Sequence, residues 1–121
     1  MEKIKLNIND LLSIPNIELI KGNNKCFESV VIDSRKVVNN SLFVAIKGEK
    51  FDGHDFVDSV VKAGATGVVV EKNKAHLYNK LDAAVFAYDD TTIALGKIAN
   101  VWRNKLSAKV LSITGSNGKT S

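Results

Sequence analysis

Short apolar runs alternate along this chain with polar loops and segments of helical period, and that alternation restricts its fold more than any other feature. Residues 41–46 (Ser, Leu, Phe, Val, Ala, Ile), 68–70 (three valines) and 83–87 are too short for helices and read as buried strands. Residues 26–32 read as another strand, β-branched toward its end. Between them, Asp55 opens a helix carrying Phe56, Val57, Val60 and Val61 on one face, and residues 73–81 suggest another. The clearest helix, capped by Asp89 or Asp90, repeats Leu95, Ile98, Ala99, Trp102 and Leu106 every three or four residues. Strand followed by helix, repeated, predicts an α/β fold.

The remaining segments fill in this frame. Residues 3–8 alternate as a short strand would, and Asn9 is placed to cap a short helix ended by Pro15. Asp33-Ser34-Arg35 reads as a polar loop, Asn39-Asn40 as a turn, and residues 47–54, with Gly48 and Gly53, as a longer loop. Residues 109–113 are predicted to be a last strand. The expected organisation is a small domain over 1–88, a connecting helix over 89–108 and the start of a second domain over 109–121. A strand detached from its sheet is expected to lie against the first domain or to pair with a second copy through 109–113.

Size and charge narrow the function. The chain has 121 residues with a net charge of +4, and its only arginines are Arg35 and Arg103. Its lysines are dispersed and no basic run interleaves with aromatics, which argues against nucleic acid and suits an anionic small molecule equally well. Cys26 is the sole cysteine, so no intramolecular disulfide or cysteine-rich zinc site can form, and it is expected to be a half-buried strand thiol. No segment has the length of a membrane span or the apolar stretch of a secretion signal, so a cytoplasmic setting is the simplest expectation.

The chain closes on Thr114-Gly115-Ser116-Asn117-Gly118-Lys119-Thr120-Ser121. Glycines beside a Lys-Thr pair let backbone N–H groups surround a phosphate while the ammonium adds charge. The common P-loop places four residues between its first glycine and the Gly-Lys-Thr, whereas two stand here, with Ile113 where that glycine would be. This is a shorter variant after an apolar run. In such a loop the N–H groups from Ser116 to Thr120 line the phosphate pocket, Lys119 reaches the β- and γ-phosphates, and the Thr120 hydroxyl holds Mg²⁺. The plainer alternative is a glycine turn with an exposed lysine. Such a loop normally opens a helix and a whole nucleotide-binding domain, so the chain is expected to be the first piece of a longer ATP-using protein.

The sequence Thr-Gly-Ser-Asn-Gly-Lys-Thr resembles the ATP loop of the Mur ligases, amide-forming enzymes of peptidoglycan precursor synthesis. A longer match lies upstream. Asp33-Ser34-Arg35, residues 41–48, Asp52-Gly53-His54-Asp55-Phe56 and Ala63-Gly64-Ala65 are similar to the N-terminal domain of the members that add the third, or the fourth and fifth, peptide residues. The folylpolyglutamate synthases share a related loop but lack this domain. Ser121 after Lys-Thr, the stretch from Asp90 to Arg103, and residues 47–54 resemble the members that add D-alanyl-D-alanine.

The resemblance implies a domain that binds the UDP end of UDP-MurNAc-tripeptide, ahead of a central ATP domain. It implies phosphorylation of the peptide carboxylate by ATP, attack by the amine of D-Ala-D-Ala, and loss of phosphate. It assigns Gly115, Ser116, Asn117, Gly118, Lys119, Thr120 and Ser121 to ATP phosphates, with Lys119 catalytic and Thr120 on Mg²⁺. It assigns Ser34, Arg35, Phe43, Lys47, Gly48 and His54 to the UDP substrate. Each has a plainer alternative: Ser34 and Arg35 a turn with a surface ion pair, His54 part of a tight turn in which Asp52 and Asp55 cap structure. His76 is expected to be exposed, and Trp102 to be core. Alone, the 121 residues are expected to catalyse nothing. Other readings are the ligase adding the third residue, an isolated UDP-sugar-binding module, and an unrelated P-loop kinase or NTPase.

Overall fold

The computed structural model describes residues 5–22 and 26–114, with side chains up to residue 107. In chain order the helices are α1 (Ile8–Leu12), α2 (Val57–Ala63) and α3 (Thr91–Thr114). The strands are β1 (Glu18–Lys21), β2 (Ser29–Val31), β3 (Ser41–Val44), β4 (Gly67–Glu71) and β5 (Ala84–Tyr88). Three 3₁₀ segments, Ser34–Lys36, Gly53–Phe56 and Lys72–Tyr78, complete the connections.

The five strands form one sheet in the order β1-β5-β4-β3-β2. β2 to β5 run parallel and sit side by side in sequence order, while β1 pairs antiparallel with β5 at the edge. Parallel neighbours need crossovers, and the same strand twist sends successive crossovers to one face. The α2 and Lys72–Tyr78 connections accordingly share a face. There Val57, Val60, Ala75 and Tyr78 bury against Phe43, Val68, Val70, Val85 and Ala87. The opposite face holds Leu42, Val44, Val69 and Phe86, covered by Leu11 of α1 and by Ala94 and Ile98 of α3. Adjacent strand residues alternate between the two cores, so strands covered on both faces appear in the sequence as unbroken apolar runs.

Local chemistry sets several boundaries. Asn7, not Asn9, caps α1: its side chain accepts from the Asp10 N–H at 2.9 Å, and Asp10 Oδ2 accepts from the Asn7 N–H at 2.9 Å. The reciprocal box needs an acceptor three residues downstream, which Asp10 supplies. The same Asp10 oxygen takes Lys105 of α3 at 2.6 Å and ties the two helices. Of the strand expected over 3–8, the described residues contribute one bridge, Leu6 to Phe27. Gly64 ends α2 at φ +126°, a conformation that L side chains rarely adopt.

Two further expectations are corrected. Residues 109–113 are not a strand, because α3 continues through Thr114. A strand must find its hydrogen bonds on a neighbour, whereas a helix closes them within itself. Among the described residues no strand flanks this segment, and helix satisfies its backbone. The strand-edge pairing expected at 109–113 loses its basis with it. Cys26 is exposed rather than half-buried, since β2 begins only at Ser29.

Candidate functional site

The carboxyl ends of β2 and β3 open side by side, the place where ligands lie in parallel α/β sheets. A cleft of about 480 Å³ sits there. One wall is Ile32, Asp33, Ser34 and Arg35, following β2. The other is Ile46, Gly48, Phe51, Gly53 and Phe56, following β3.

The first wall is a built turn. Asp33 caps the 3₁₀ segment through Oδ1, which accepts from the Arg35 N–H at 2.9 Å. The same carboxylate takes the guanidinium side-on, with Nε at 3.1 Å and Nη2 at 3.0 Å. Arg35 hydrogen bonds hold the Asp33 carboxyl down at about 2, and Asp33 in turn raises the Arg35 pKa. The side chain of Arg35 remains 87% exposed, and the pair leaves Nη1 for another acceptor. The wall therefore holds a guanidinium in a fixed orientation, with its Nη1 donors turned free of Asp33 for an anion.

The second wall is a tight return. The Gly48 N–H donates to the Phe51 carbonyl at 2.8 Å, and Lys47 bridges Asp52. The Gly53 N–H donates to the Ile46 carbonyl at 2.8 Å, and a Cβ at Gly53 would stand 2.8 Å from the Ile46 nitrogen, so only glycine fits. This close approach leaves Phe51 at the cleft mouth with 71% of its surface exposed. An aromatic ring so placed is a ready face for a planar base. Phe51 stands outside the residues expected at the ligand, although a lone aromatic in a polar loop between two glycines carries the signal.

Behind the second wall lies a buried polar cluster. The His54 ring accepts the Glu71 N–H at Nε2, 3.1 Å away, which puts its proton on Nδ1, donated to Asp52 Oδ1 at 2.7 Å. Asp52 Oδ1 also accepts the His54 N–H, and Oδ2 accepts Lys74 Nζ at 3.0 Å. The Tyr78 hydroxyl donates to the His54 carbonyl at 3.2 Å. Burial pushes the Asp52 carboxyl up, but the His54 amide, the His54 ring and the Lys74 ammonium outweigh it and hold it well below the usual carboxylate range.

The expected UDP residues divide accordingly. Ser34, Arg35 and Gly48 line the cleft, and Lys47 is exposed beside it. His54 is corrected: its side chain is buried and both ring nitrogens are engaged by the protein. Phe43 is corrected too, being fully buried in the core with α2, because β3 alternation turns it onto the sheet face that α2 covers. His76 is exposed. Trp102 packs against the α3-side core and lines a second, mainly apolar cleft of about 540 Å³ between α3 and β2. The phosphate-loop residues Gly115 to Ser121, including Lys119 and Thr120, lie outside the described residues. Among the described residues no group of three or more His, Cys, Asp or Glu could hold a metal. None of their helices is long and apolar enough to cross a membrane.

Comparison with known proteins gives this geometry a lineage. A family model described as the Mur ligase family, catalytic domain, matches residues 27–103. The chain is 39% identical over 117 residues to the UDP-N-acetylmuramoyl-tripeptide--D-alanyl-D-alanine ligase of Haemophilus influenzae, covering 97% of this chain and 25% of that protein. It is 38% identical over 98 residues to the UDP-N-acetylmuramoyl-L-alanyl-D-glutamate--2,6-diaminopimelate ligase of Fusobacterium nucleatum, covering 78% of this chain and 19% of that protein. A crystal structure of MurF from Acinetobacter baumannii matches with a TM-score of 0.69 and 25% identity, over 84% of this chain and 22% of that one. The MurF ligase of Thermotoga maritima in complex with ADP matches with a TM-score of 0.50 and 32% identity, over 59% of this chain and 16% of that one. The chain thus spans about a quarter of the length of the Haemophilus relative. With a family model covering residues 27–103 and relatives matched along nearly all of its length, the chain belongs to the Mur ligase family.

Proposed function

We propose that this chain is the UDP-anchoring domain of an ATP-dependent ligase that joins D-Ala-D-Ala to UDP-MurNAc-tripeptide. The observation that carries the reading is the cleft at the ends of β2 and β3, with the Arg35 guanidinium on one wall and Phe51 on the other. A uridine diphosphate matches both features. The Phe51 ring stacks on uracil, while Ser34, Arg35, Lys47 and the Gly48 backbone meet the diphosphate, where charge-assisted contacts are the strong ones. The Haemophilus relative's name supplies the acceptor class, and the ADP complex of the Thermotoga relative supports ATP as the phosphoryl donor. Gly115, Ser116, Asn117, Gly118 and Ser121 are assigned to its phosphates, Lys119 to the transferred phosphoryl group and Thr120 to Mg²⁺, with the reaction passing through an acyl phosphate. The cytoplasm is the proposed setting.

An NMR titration of the 121-residue chain with UDP tests the anchoring role. Amides of Ser34, Arg35, Gly48 and Phe51 are expected to shift, and Arg35→Ala to weaken binding about tenfold, the size of one charge-assisted hydrogen bond. Shifts confined to α3, or an Arg35→Ala affinity equal to wild type, would count against the reading. In the longer ligase, turnover with D-Ala-D-Ala rather than with a single diamino acid separates it from the third-residue reaction.

A further inference from the structure

One wall of the cleft is held from behind by residues that never reach it. The loop from Gly48 to Phe56 carries Gly48, Phe51, Gly53 and Phe56 into the cleft, and its rear is fastened by Asp52 and His54. All three outside anchors lie on one stretch of chain, the end of β4 and the 3₁₀ segment Lys72–Tyr78. They are the Glu71 N–H on His54 Nε2, the Lys74 ammonium on Asp52 Oδ2, and the Tyr78 hydroxyl on the His54 carbonyl. No residue of Lys72–Tyr78 lines the cleft.

We propose that Lys74 is a positioning residue for the nucleotide cleft, acting through Asp52 and His54 to fix the Gly48–Phe56 wall. The proposal rests on the UDP-anchoring reading for its ligand, but the mechanical link stands on the geometry alone. Asp52 is the junction: one oxygen orders the turn by taking the His54 amide and ring, and the other takes Lys74 from a different element. Gly53 lies between Asp52 and His54 in the chain, with its backbone already against Ile46. A shift of Asp52 therefore moves the Gly53 and Phe51 sides of the cleft together. The ammonium end of this relay is its most solvent-accessible part, with the Lys74 side chain 33% exposed against 20% for Asp52 and 2% for His54. It can be altered without opening a cavity in the core.

Lys72 is a built-in control. It sits on the same 3₁₀ segment, carries the same charge, and pairs with Asp89 at 3.6 Å rather than with the loop. The experiment compares the wild-type 121-residue chain with Lys74→Met, Lys74→Arg and Lys72→Met, by amide hydrogen exchange and by NMR titration with UDP. Lys74→Met is expected to speed exchange of the Gly48 and Gly53 amides and to weaken UDP binding about three- to fivefold, the worth of one partly exposed ion pair. Lys74→Arg is expected to restore both, and Lys72→Met to change neither. Wild-type exchange at Gly48 and Gly53 in Lys74→Met overturns the proposal, as does a uniform rise across the whole sheet or an equal effect of Lys72→Met. If the wild-type chain shows no UDP shifts, the anchoring reading fails, and the exchange arm still decides whether Lys74 holds the wall.

Discussion

At the scale of single residues, Asp52 joins stability to site geometry. Its carboxylate is placed for hydrogen bonds that favour the charged form, which sets the sign of its pH dependence. The folded value lies below the ordinary 3.8, so the stabilisation is complete above about pH 4 and is lost as acid carries the group down through its folded value. Asp52→Asn should lower stability by about 2 kcal/mol at neutral pH, in the range of charge-assisted hydrogen bonds. The deficit should persist down to pH 4 and shrink in stronger acid, as read by urea denaturation across pH 2–8. The family resemblance grouped Ser34, Arg35 and Gly48 at a ligand, and all three line one cleft. It misplaced His54 and Phe43, because neither burial nor the direction of a side chain is written in residue type. His54 carries ligand-binding chemistry but spends both nitrogens on Asp52 and Glu71, partners that only the folded chain brings near.

At the scale of elements, strands covered on both faces were the most legible, since β3, β4 and β5 are unbroken apolar runs. β1 was not recognised. Three of its four residues are exposed, so it shows no inward-facing pattern, and it exists by pairing with β5. Gly67 marks how tightly the recognised strands pack, since a Cβ there would fall 2.5 Å from the Phe27 ring. Gly67→Ala should destabilise the chain by about 1–3 kcal/mol, the usual cost of overpacking a core, with a lower melting temperature in calorimetry. A melting point equal to wild type would mean that Phe27 swings away freely, which its place in the buried core opposes. Residues 109–113 have strand composition but helical backbone, because β-propensity takes effect only where a neighbouring strand supplies the hydrogen bonds.

At the scale of the whole molecule, the 121 residues match about a quarter of the Haemophilus ligase. Transition-state stabilisation in phosphoryl transfer comes from several groups fixed around one reacting centre, and the described residues supply the cleft between the ends of β2 and β3 rather than such a centre. The purified chain is expected to form no amide from ATP, D-Ala-D-Ala and UDP-MurNAc-tripeptide in a coupled phosphate-release assay. Turnover above the no-enzyme rate would refute this.

The sequence by itself determined the α/β class, the buried strands and the family. These follow from local patterns: apolar periodicity, glycine spacing and short motifs. Tertiary structure alone decided that β1 closes the sheet edge, that Phe43 and His54 face inward, that Phe51 stands at the cleft mouth, and that Lys74 reaches the loop through Asp52. Each depends on which distant segments meet, and a hydrogen bond between residues 52 and 74 exists only once the crossover between β4 and β5 has brought them together.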